Sequence, residues 1–437
     1  MGRRTMNVFC KQQDLQYGVD TVEHAVSSGD SESIPGIAGI LLEAKEDQLI
    51  LSANDHKLGI RCSIPAVVEE TGRLLVDGRY FSQVVRKLPE VDVSFAMAPE
   101  ENAMVLRAGT VRLKLQVLNV QDFQGLHVPT GEPHFVAFAH DLQNMIRHTL
   151  ISVGLPEDRR PFISGILVEY EDNNLNLVST DGNRLAVCSK EVLLPEDADQ
   201  GSEAYTEDVA EPTPLDSTIG LLGETEADTN NTKVKAVAPG RTMNLIARIL
   251  GGLGEKGKVK CRIGQNMISF WNDRLLISAR LIEGDYPDYN RFTEGLDTYP
   301  LPLPRADFLA ASDRAGIMTK KGSAVMLIEA EDTKLRISSR EPELGHIDEE
   351  LILPFEVQSL TKERWSDNEE DQDASSGLQR LVGAYQARFF IDALRVMNTQ
   401  EVILELGEAN GPALLKIPNS DFFTYLVMPV KISEGEI

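Results

Sequence analysis

Cysteine and long apolar runs are both scarce in this sequence, and each scarcity excludes a class of protein. The four cysteines are far apart and form no Cys-x-x-Cys motif: Cys10, Cys62, Cys188 and Cys261. We therefore expect neither a disulfide framework nor a bound metal, and scattered thiols favour a reducing cytoplasm. No apolar run approaches the ~20 residues that a membrane helix needs, so we expect no membrane association.

Basic residues are the minority charge, with 43 Lys and Arg against 68 Asp and Glu and a net charge of −25. This balance argues against a protein that coats nucleic acid with its whole surface, although it leaves room for a local basic patch. Two segments concentrate the acids, at about 196–231 and about 366–377, with eleven and five acidic residues and no basic ones. Their composition is typical of solvated loops.

The N-terminal stretch MGRRTMNVFC has no apolar core before a cleavage site, so we expect no secretory signal. Met6 stands where the myristoylation pattern requires Ser or Thr, so we expect no lipid anchor there.

One short pattern occurs three times along the chain. The segments are DGRYFSQVVRKL (77–88), PGRTMNLIARIL (239–250) and QARFFIDALRVM (386–397), and each carries two arginines seven residues apart. Seven residues is nearly two helical turns, which puts both guanidinium groups on one face about 10 Å apart. A charged helix face is often merely solvated, but three recurrences at one spacing favour amphipathic helices with a functional basic stripe.

Each of these helices is preceded by a second candidate helix and by hairpin patterns. The candidates at 14–27, 141–154 and 307–318 begin with Asp, which we interpret as the N-cap. Apolar strands flank an acidic turn in GILLEAKEDQLILSAND, GILVEYEDNNLNLVSTD and AVMLIEAEDTKLRISSR. The repeats predict three α+β domains, at 6–131, 132–298 and 299–437, with the acidic segments inserted in the second and third.

Motifs for catalysis are missing or out of context. Neither G-x-S-x-G nor H-E-x-x-H occurs. GLGEKGK (252–258) resembles a phosphate-binding loop, but Val259 replaces the required hydroxyl and the surrounding pattern is helix then strand, so we predict a turn. His346 is interpreted as an isolated loop residue, and Asp181 with Arg184 as part of a hairpin turn. An enzyme of unrecognised type would have to use that Asp181/Arg184 pair; we predict no enzyme and no cofactor.

Three further segments carry a resemblance to a known family. They are STDGNRLAV (179–187), LIEGDYPDYNRF (281–292) and YLVMPVKI (425–432), which occur in the order found in the bacterial DNA sliding clamp, the beta subunit of DNA polymerase III. The resemblance covers essentially the whole chain outside the acidic insertions. It implies an α+β fold of three tandem DNA-clamp domains, each with two helices packed on antiparallel sheets, assembled as a head-to-tail homodimeric ring.

The resemblance also implies a function. The ring would encircle and slide along duplex DNA as a DNA polymerase processivity factor in the cytoplasm, with the polymerase III catalytic subunit, the clamp loader and other proteins with clamp-binding motifs as partners. Basic helices would face the hole, while acidic residues face outward. The predicted DNA-facing residues are Arg79, Arg86, Lys87, Arg147, Arg241, Arg248, Arg314, Arg388 and Arg395.

The family's partner-peptide pocket transfers by motif to fourteen positions. Apolar Met and Leu side chains there suit an adaptable groove, although YLVMPV also fits a buried terminal strand. The predicted pocket residues are Ile163, Thr180, Gly182, Asn183, Arg184, Leu185, Pro287, Arg291, Phe292, Leu426, Val427, Met428, Pro429 and Val430. The family's dimer contact maps to Leu113 and Leu115 on one edge and to Ile317 and Met318 on the other, with ordinary core residues as the alternative interpretation.

The chain departs from the family pattern at two positions. Asn183 stands where the family has His, and Ser31 stands where an Arg that faces DNA is common. With the acidic insertions, these changes predict a divergent or second-copy clamp, and we hypothesise that the first insertion modulates peptide access to the pocket. The alternative function is a ringless protein of the same fold that binds partner peptides only.

Overall fold

A computed structural model describes the chain in nine stretches: residues 6–27, 35–98, 102–155, 160–195, 233–319, 322, 324–359, 380–407 and 410–431. Ser31 and both acidic insertions therefore lie outside the described residues. Seven α-helices occur within the described ranges: α1 Gln12–Val22, α2 Gly78–Val85, α3 Ala139–Leu150, α4 Gly240–Gly251, α5 Asn290–Thr293, α6 Arg305–Ala315 and α7 Ala387–Val396. None of these helices is long and apolar enough to cross a membrane.

Strands make up most of the remaining described structure, and every strand pair described below is antiparallel. The first fourteen are β1 Asn7–Lys11, β2 Gly39–Lys45, β3 Gln48–Asn54, β4 Leu58–Pro65, β5 Val67–Glu70, β6 Gly72–Asp77, β7 Asp92–Ala98, β8 Ala103–Ala108, β9 Val111–Leu118, β10 Phe135–Phe138, β11 Gly165–Glu171, β12 Asn174–Thr180, β13 Arg184–Glu191 and β14 Lys233–Pro239. The others are β15 Lys258–Ile263, β16 Met267–Trp271, β17 Leu275–Arg280, β18 Tyr299–Pro304, β19 Val325–Glu331, β20 Lys334–Glu341, β21 Gly345–Ile352, β22 Leu381–Gln386, β23 Glu401–Leu406, β24 Ala413–Ile417 and β25 Ser420–Val427.

The three arginine-bearing segments form helices, as the repeat predicted. They are α2, α4 and α7, and Arg79, Arg241 and Arg388 are each the second residue of their helix. Apolar residues between the arginines, such as Val85 in α2 and Ile246 in α4, are buried. The amphipathic spacing therefore determined these helices correctly.

The N-cap prediction for the preceding helices was wrong. These helices are α1, α3 and α6, and each begins two residues before its Asp, so that Asp14, Asp141 and Asp307 lie inside the first turn. A carboxylate there still interacts favourably with the positive end of the helix dipole, which explains the shared position. A side-chain N-cap occurs instead at α2, where Asp77 accepts a hydrogen bond of 2.9 Å from the backbone N–H of Tyr80.

The described chain divides into two compact units, and the first comprises Met1–Gln143, Tyr170–Asn173 and Val192–Ile282. Its thirteen-stranded sheet has the order β10-β15-β16-β17-β4-β3-β2-β6-β9-β8-β7-β1-β5. The pairing of β17 with β4, with Leu275 opposite Cys62, joins strands from the first and second repeats into one continuous sheet.

Helix α1 packs closely on this sheet because Gly18 has no side chain. A Cβ atom at Gly18 would lie 2.9 Å from Leu51 and 3.1 Å from Ile64, side chains of β3 and β4. Leu15 and Val19 on the same helix are fully buried. A larger residue at position 18 would force the side chains of Leu51 and Ile64 to shift.

The second unit comprises Asn144–Glu169, Asn174–Glu191 and Glu283–Ile437. Its larger sheet follows the order β11-β12-β13-β25-β24-β23-β18, and a second sheet has the order β21-β20-β19-β22. The pairing of β13 with β25, with Arg184 opposite Val427, joins strands of the second and third repeats. Helices α6 and α7 pack through Phe308 and Phe390, whose rings meet edge to face at 5.7 Å.

The predicted hairpins form as β2–β3, β11–β12 and β19–β20, and the segment 252–258 connects α4 to β15 as a helix-to-strand turn. One prediction was wrong: His346 lies in strand β21 and not in a loop, although it is exposed. Strand β21 alternates exposed and half-buried residues, but Glu349 holds a half-buried position, so the acidic run at 348–350 concealed this period.

Candidate functional site

All nine residues that were predicted to face DNA are exposed in this chain. Seven lie within α2, α3, α4, α6 and α7, while Arg86 is the C-cap of α2 and Lys87 follows it. Their long side chains leave the buried helix faces free to pack on the sheets. The described structure therefore presents each predicted cation to solvent, but the nine differ in their neighbours.

Four of the nine have carboxylate partners. Arg86 pairs with Asp20 at 2.9 Å and with Glu23, which lies in a short 3₁₀ turn after α1. Both nitrogens of the Arg314 fork donate to Glu349, at 2.7 and 2.6 Å.

The remaining two pairs lie on α7. Arg395 donates to Asp313 of α6 at 3.0 Å. Arg388 is 3.6 Å from Asp392, one turn along its own helix. Each of these exposed ion pairs has little net charge and contributes little to stability.

Five of the nine make no ion pair with any carboxylate in the described parts of the chain: Arg79, Lys87, Arg147, Arg241 and Arg248. An exposed cation without a carboxylate partner keeps its charge available to an external anion.

The predicted peptide pocket begins at the tight turn between β12 and β13. Asp181 organises this turn, because its Oδ1 accepts from the backbone N–H of Asn183 at 2.9 Å and of Arg184 at 3.1 Å. Gly182 takes φ +90°, a conformation that favours glycine. Asn183 lies exposed at the tip, and its carbonyl accepts a hydrogen bond of 2.8 Å from Met428. This hydrogen bond therefore links the turn to the residue that follows β25.

The side chain of Arg184 is buried and already paired, so it does not lie free at the surface. Its side chain is only 9% exposed, and its Nε donates to Asp181 Oδ2 at 2.8 Å while Nη1 donates to Asp392 Oδ2 at 2.8 Å. The guanidinium also lies over the ring of Phe389 at 4.5 Å. It forms part of the wall behind the turn and is not free to bind a ligand carboxylate.

The charge of Arg184 is secured by these neighbours. Burial by itself would lower the pKa of its guanidinium, but Tyr425, Asp392 and Asp181 together raise it above the ordinary value. Tyr425 in turn donates to the carbonyl of Phe389 at 3.1 Å, and burial raises the pKa of its phenol, which stays neutral. No sequence pattern indicated this network, because Asp392 and Tyr425 are more than 200 positions from Arg184 in the chain.

Ile163 and the turn approach each other across Gly154. The N–H of Gly154 donates to the carbonyl of Ile163 at 2.9 Å, and a Cβ atom at Gly154 would lie 2.0 Å from Ile163 and 3.5 Å from Asp181. Only glycine permits this approach. Ile163, Leu185, Leu426 and Val427 are buried, so they contribute packing rather than an exposed contact surface.

The exposed apolar members of the site come from two segments. Met428 is 39% exposed and Phe292 is 50% exposed, while Pro287 and Arg291 are also exposed. The segment that carries Pro287 is anchored by Tyr286, whose ring meets Phe162 edge to face at 5.4 Å. Arg291 donates to Asp288 at 3.0 Å. The structure therefore exposes apolar side chains and one arginine in these two segments of the predicted site.

The four predicted dimer residues are not core residues. Leu113 and Leu115 on β9 are half-buried, Ile317 is 69% exposed, and Met318 is half-buried beside the start of β21, with its Cε 4.0 Å from a Cβ at Gly345. Residues 111–115 of β9 pair with β8 only, and β21 pairs with β20 only, among the described strands. Both strands therefore offer an unpaired edge.

A metal site is not found in the described ranges, where no three His, Cys, Asp or Glu side chains are placed to hold an ion. The four cysteines are free and buried.

Three family models match consecutive parts of the chain. The DNA polymerase III beta subunit N-terminal domain matches residues 6–127, the central domain matches 139–202, and the C-terminal domain matches 353–431. Together they cover more than half of the chain.

Similar full-length proteins and structures carry the same description. The beta sliding clamp of Bacillus subtilis strain 168 is 25% identical over 436 residues, covering 97% of this chain and 99% of that protein. The beta sliding clamp of Synechocystis is 23% identical, covering 98% and 100%. The sliding-clamp structure from B. subtilis gives a TM-score of 0.79 at 22% identity. The sliding-clamp structure from Pseudomonas aeruginosa bound to griselimycin gives a TM-score of 0.78 at 21% identity. Each comparison covers 98% of this chain and 100% of the solved chain.

Proposed function

The chain belongs to the bacterial DNA sliding clamps, the beta subunits of DNA polymerase III, and on that premise we propose that it closes as a head-to-tail homodimeric ring around duplex DNA. It is a processivity clamp in the cytoplasm, where it tethers the polymerase and catalyses no reaction. The ring uses three clamp domains per chain, at 6–131, 132–298 and 299–437.

The observation that carries the proposal is the repeated helix pair, which exposes arginines at matched positions in all three repeats. Exposed Lys and Arg contacts to phosphate are screened by salt and independent of base sequence. A ring with such a lining holds DNA by topology, because it cannot leave a closed circle, and slides because no single contact is strong.

Ring closure is supported by the two unpaired strand edges. The edge of β9 carries Leu113 and Leu115, and that of β21 lies beside Ile317 and Met318. Pairing β9 of one copy with β21 of the other would cover apolar residues and satisfy both edges at once. Because these are different patches, the contact is heterologous, and two such contacts close a dimer.

The second unit supplies the partner site. The exposed Met428 and Phe292, supported by buried Ile163 and Leu185, form a surface for short peptides with apolar side chains. The peptides come from the polymerase III catalytic subunit, the clamp loader and other proteins with clamp-binding motifs. Since Arg184 is held by Asp181 and Asp392, peptide affinity comes mainly from apolar contacts.

Retention on circular primed DNA tests the proposal. The chain is loaded by the source organism's own clamp loader, and bound protein is measured before and after the circle is cut. We expect retention on the intact circle and release on linearisation. Retention that a free end does not change, or a monomeric mass at micromolar concentration, would favour the ringless peptide-binding protein.

A further inference from the structure

The ninth residue of the first helix in each repeat decides whether an arginine on the second helix is neutralised. This residue is Asp20 in α1, Arg147 in α3 and Asp313 in α6. Asp20 pairs with Arg86, and Asp313 pairs with Arg395, the second arginine of the corresponding repeat. In the central repeat this position holds a cation, so Arg248 lacks the carboxylate that its counterparts have.

A second matched position separates the repeats further. Four residues after the first arginine of each pair stand Gln83 in α2, Leu245 in α4 and Asp392 in α7. Only Asp392 offers a carboxylate, at 3.6 Å from Arg388. In the third repeat Arg314 is also paired, with Glu349.

As a result, the three repeats differ in how many of their predicted DNA-facing cations lack an ion pair. The central repeat keeps Arg147, Arg241 and Arg248 without an ion pair to any carboxylate in the described ranges. In the third repeat all three predicted cations are paired, and in the first repeat Arg79 and Lys87 are unpaired while Arg86 is not.

We propose that duplex DNA is contacted mainly through the central helix pair, α3 and α4, and that Asp313, Asp392 and Glu349 mask the arginines of α6 and α7. This inference rests on the proposed function, since it assumes that these helices face the duplex. A phosphate approaching a masked arginine meets a group of little net charge and has to displace a carboxylate. A phosphate approaching Arg241 or Arg248 releases only water and salt ions.

Masking the cations of one of the three repeats is an advantage for a protein that slides along DNA. Every phosphate contact that forms must break for the ring to advance, so fewer available cations lower the affinity and ease movement along the duplex.

Two matched double variants test the inference: Arg241→Gln with Arg248→Gln, and Arg388→Gln with Arg395→Gln. The two pairs occupy equivalent helix positions, are exposed, and change the net charge equally, so long-range electrostatics alone would affect both alike. Binding to a short fluorescein-labelled duplex is measured by anisotropy over about 50 to 200 mM salt.

The central variant is expected to bind about tenfold more weakly at the low-salt end, and its salt slope is expected to fall by about 1 to 2. The third-repeat variant is expected to lose no more than about threefold, with its slope unchanged. A third variant, Asp313→Asn, unmasks Arg395 and is expected to bind more tightly than the unaltered chain. Circular dichroism verifies that each variant is folded.

The outcomes separate this inference from the proposed function. If the unaltered chain is retained on intact circles and released on cutting, but the two arginine variants lose affinity equally, the masking inference is wrong and the ring stands. The same holds if the asparagine variant binds no more tightly. If the unaltered chain is not retained on circles, the ring itself fails and the inference falls with it.

Discussion

The guanidinium of Arg184 donates a hydrogen bond of 2.8 Å to the carboxylate of Asp392, a residue 208 positions later in the chain. This bond ties the β12–β13 turn to helix α7, and Asp181 completes it from the other side. The turn that forms one wall of the candidate peptide site is therefore fixed by a helix that carries two of the predicted DNA-facing arginines, Arg388 and Arg395.

Replacing Arg184 by Ala is expected to lower the free energy of unfolding by about 2 to 3 kcal/mol. The substitution leaves the carboxylates of Asp181 and Asp392 largely buried without their cation, and it removes the stacking on Phe389. Urea denaturation followed by circular dichroism measures the loss. The matched control is Arg291→Ala: that arginine is exposed, and its loss is expected to cost less than about 0.5 kcal/mol. Equal effects in the two variants would mean that the buried network contributes no special stability.

Replacing both Met428 and Phe292 by Ala is expected to weaken peptide binding about tenfold, because both side chains offer exposed apolar area to a ligand. Fluorescence polarisation of a labelled peptide from the clamp-binding segment of the polymerase III catalytic subunit measures the affinity. Val325→Ala is the control, since Val325 is 40% exposed and lies outside the predicted site, on β19. Unchanged affinity in the double variant would remove these residues from the site.

Replacing Ile317 by Asp is expected to convert the proposed dimer to a monomer, raising the dimer dissociation constant at least about 100-fold. The fold should not suffer, because Ile317 is exposed in the single chain, whereas the proposed contact would bury the new charge against Leu113 and Leu115. Sedimentation velocity reports the mass. Val67→Asp, an equally exposed valine on strand β5, should remain dimeric. A dimeric Ile317→Asp variant would place the interface elsewhere.

Replacing Glu43 by Gln is expected to destabilise the protein by about 1 to 3 kcal/mol at neutral pH. Burial alone would raise the pKa of Glu43, but the hydrogen bond and charge of Arg73, with those of Lys45, lower it below the ordinary value of 4.5. A carboxyl whose pKa is lowered by folding stabilises the protein above its unfolded pKa, and this stabilisation disappears as the pH falls through the folded value.

Urea denaturation of the Glu43→Gln variant at a series of pH values should therefore show a difference from the unaltered chain at pH 7 that vanishes in acid. The exposed Glu90→Gln variant provides the control and should differ little at any pH. A difference that grows towards acid would contradict the assignment of Glu43 as a charged partner of Arg73.

The four cysteines are expected to resist Ellman's reagent in the native protein at pH 8 and to react fully after denaturation. Burial, with Asp14 and Asp92, raises the pKa of Cys10 to about 12, and burial raises that of Cys62 to about 11. The thiolate fraction of Cys10 at pH 8 is therefore about 1000-fold lower than that of an ordinary thiol. Rapid reaction of one thiol per chain in the native state would show that this thiol is more accessible than its burial indicates.

Much of the local structure could be predicted from short patterns. The seven-residue arginine spacing located α2, α4 and α7, and alternation of apolar residues around acidic turns located three hairpins. The helix starts at α1, α3 and α6 were misplaced by two residues, because Asp is favourable both as an N-cap and inside the first turn. Strand β21 was missed because charges obscured its period of two.

The candidate site was likewise only partly predictable from the sequence. Most of its residues were predicted from three motifs, yet the sequence did not indicate that Arg184 is buried while Met428 and Phe292 remain exposed. Side-chain burial depends on which strands pair, and the paired strands β13 and β25 are more than 200 residues apart in the sequence. The charge partners of the predicted DNA-facing arginines were equally hidden, because Asp313 and Arg395 meet only when α6 packs on α7.

The sequence by itself determined the three α+β repeats and the helices that carry paired arginines, because helix and hairpin periods are local properties of the chain. Its motifs also predicted where the peptide site lies. Only the tertiary structure decided which arginines are neutralised, which strand edges stay unpaired and how the β12–β13 turn is held. Those properties depend on contacts between residues that are distant in sequence, and the spacing of residues along the chain does not encode the geometry of such contacts.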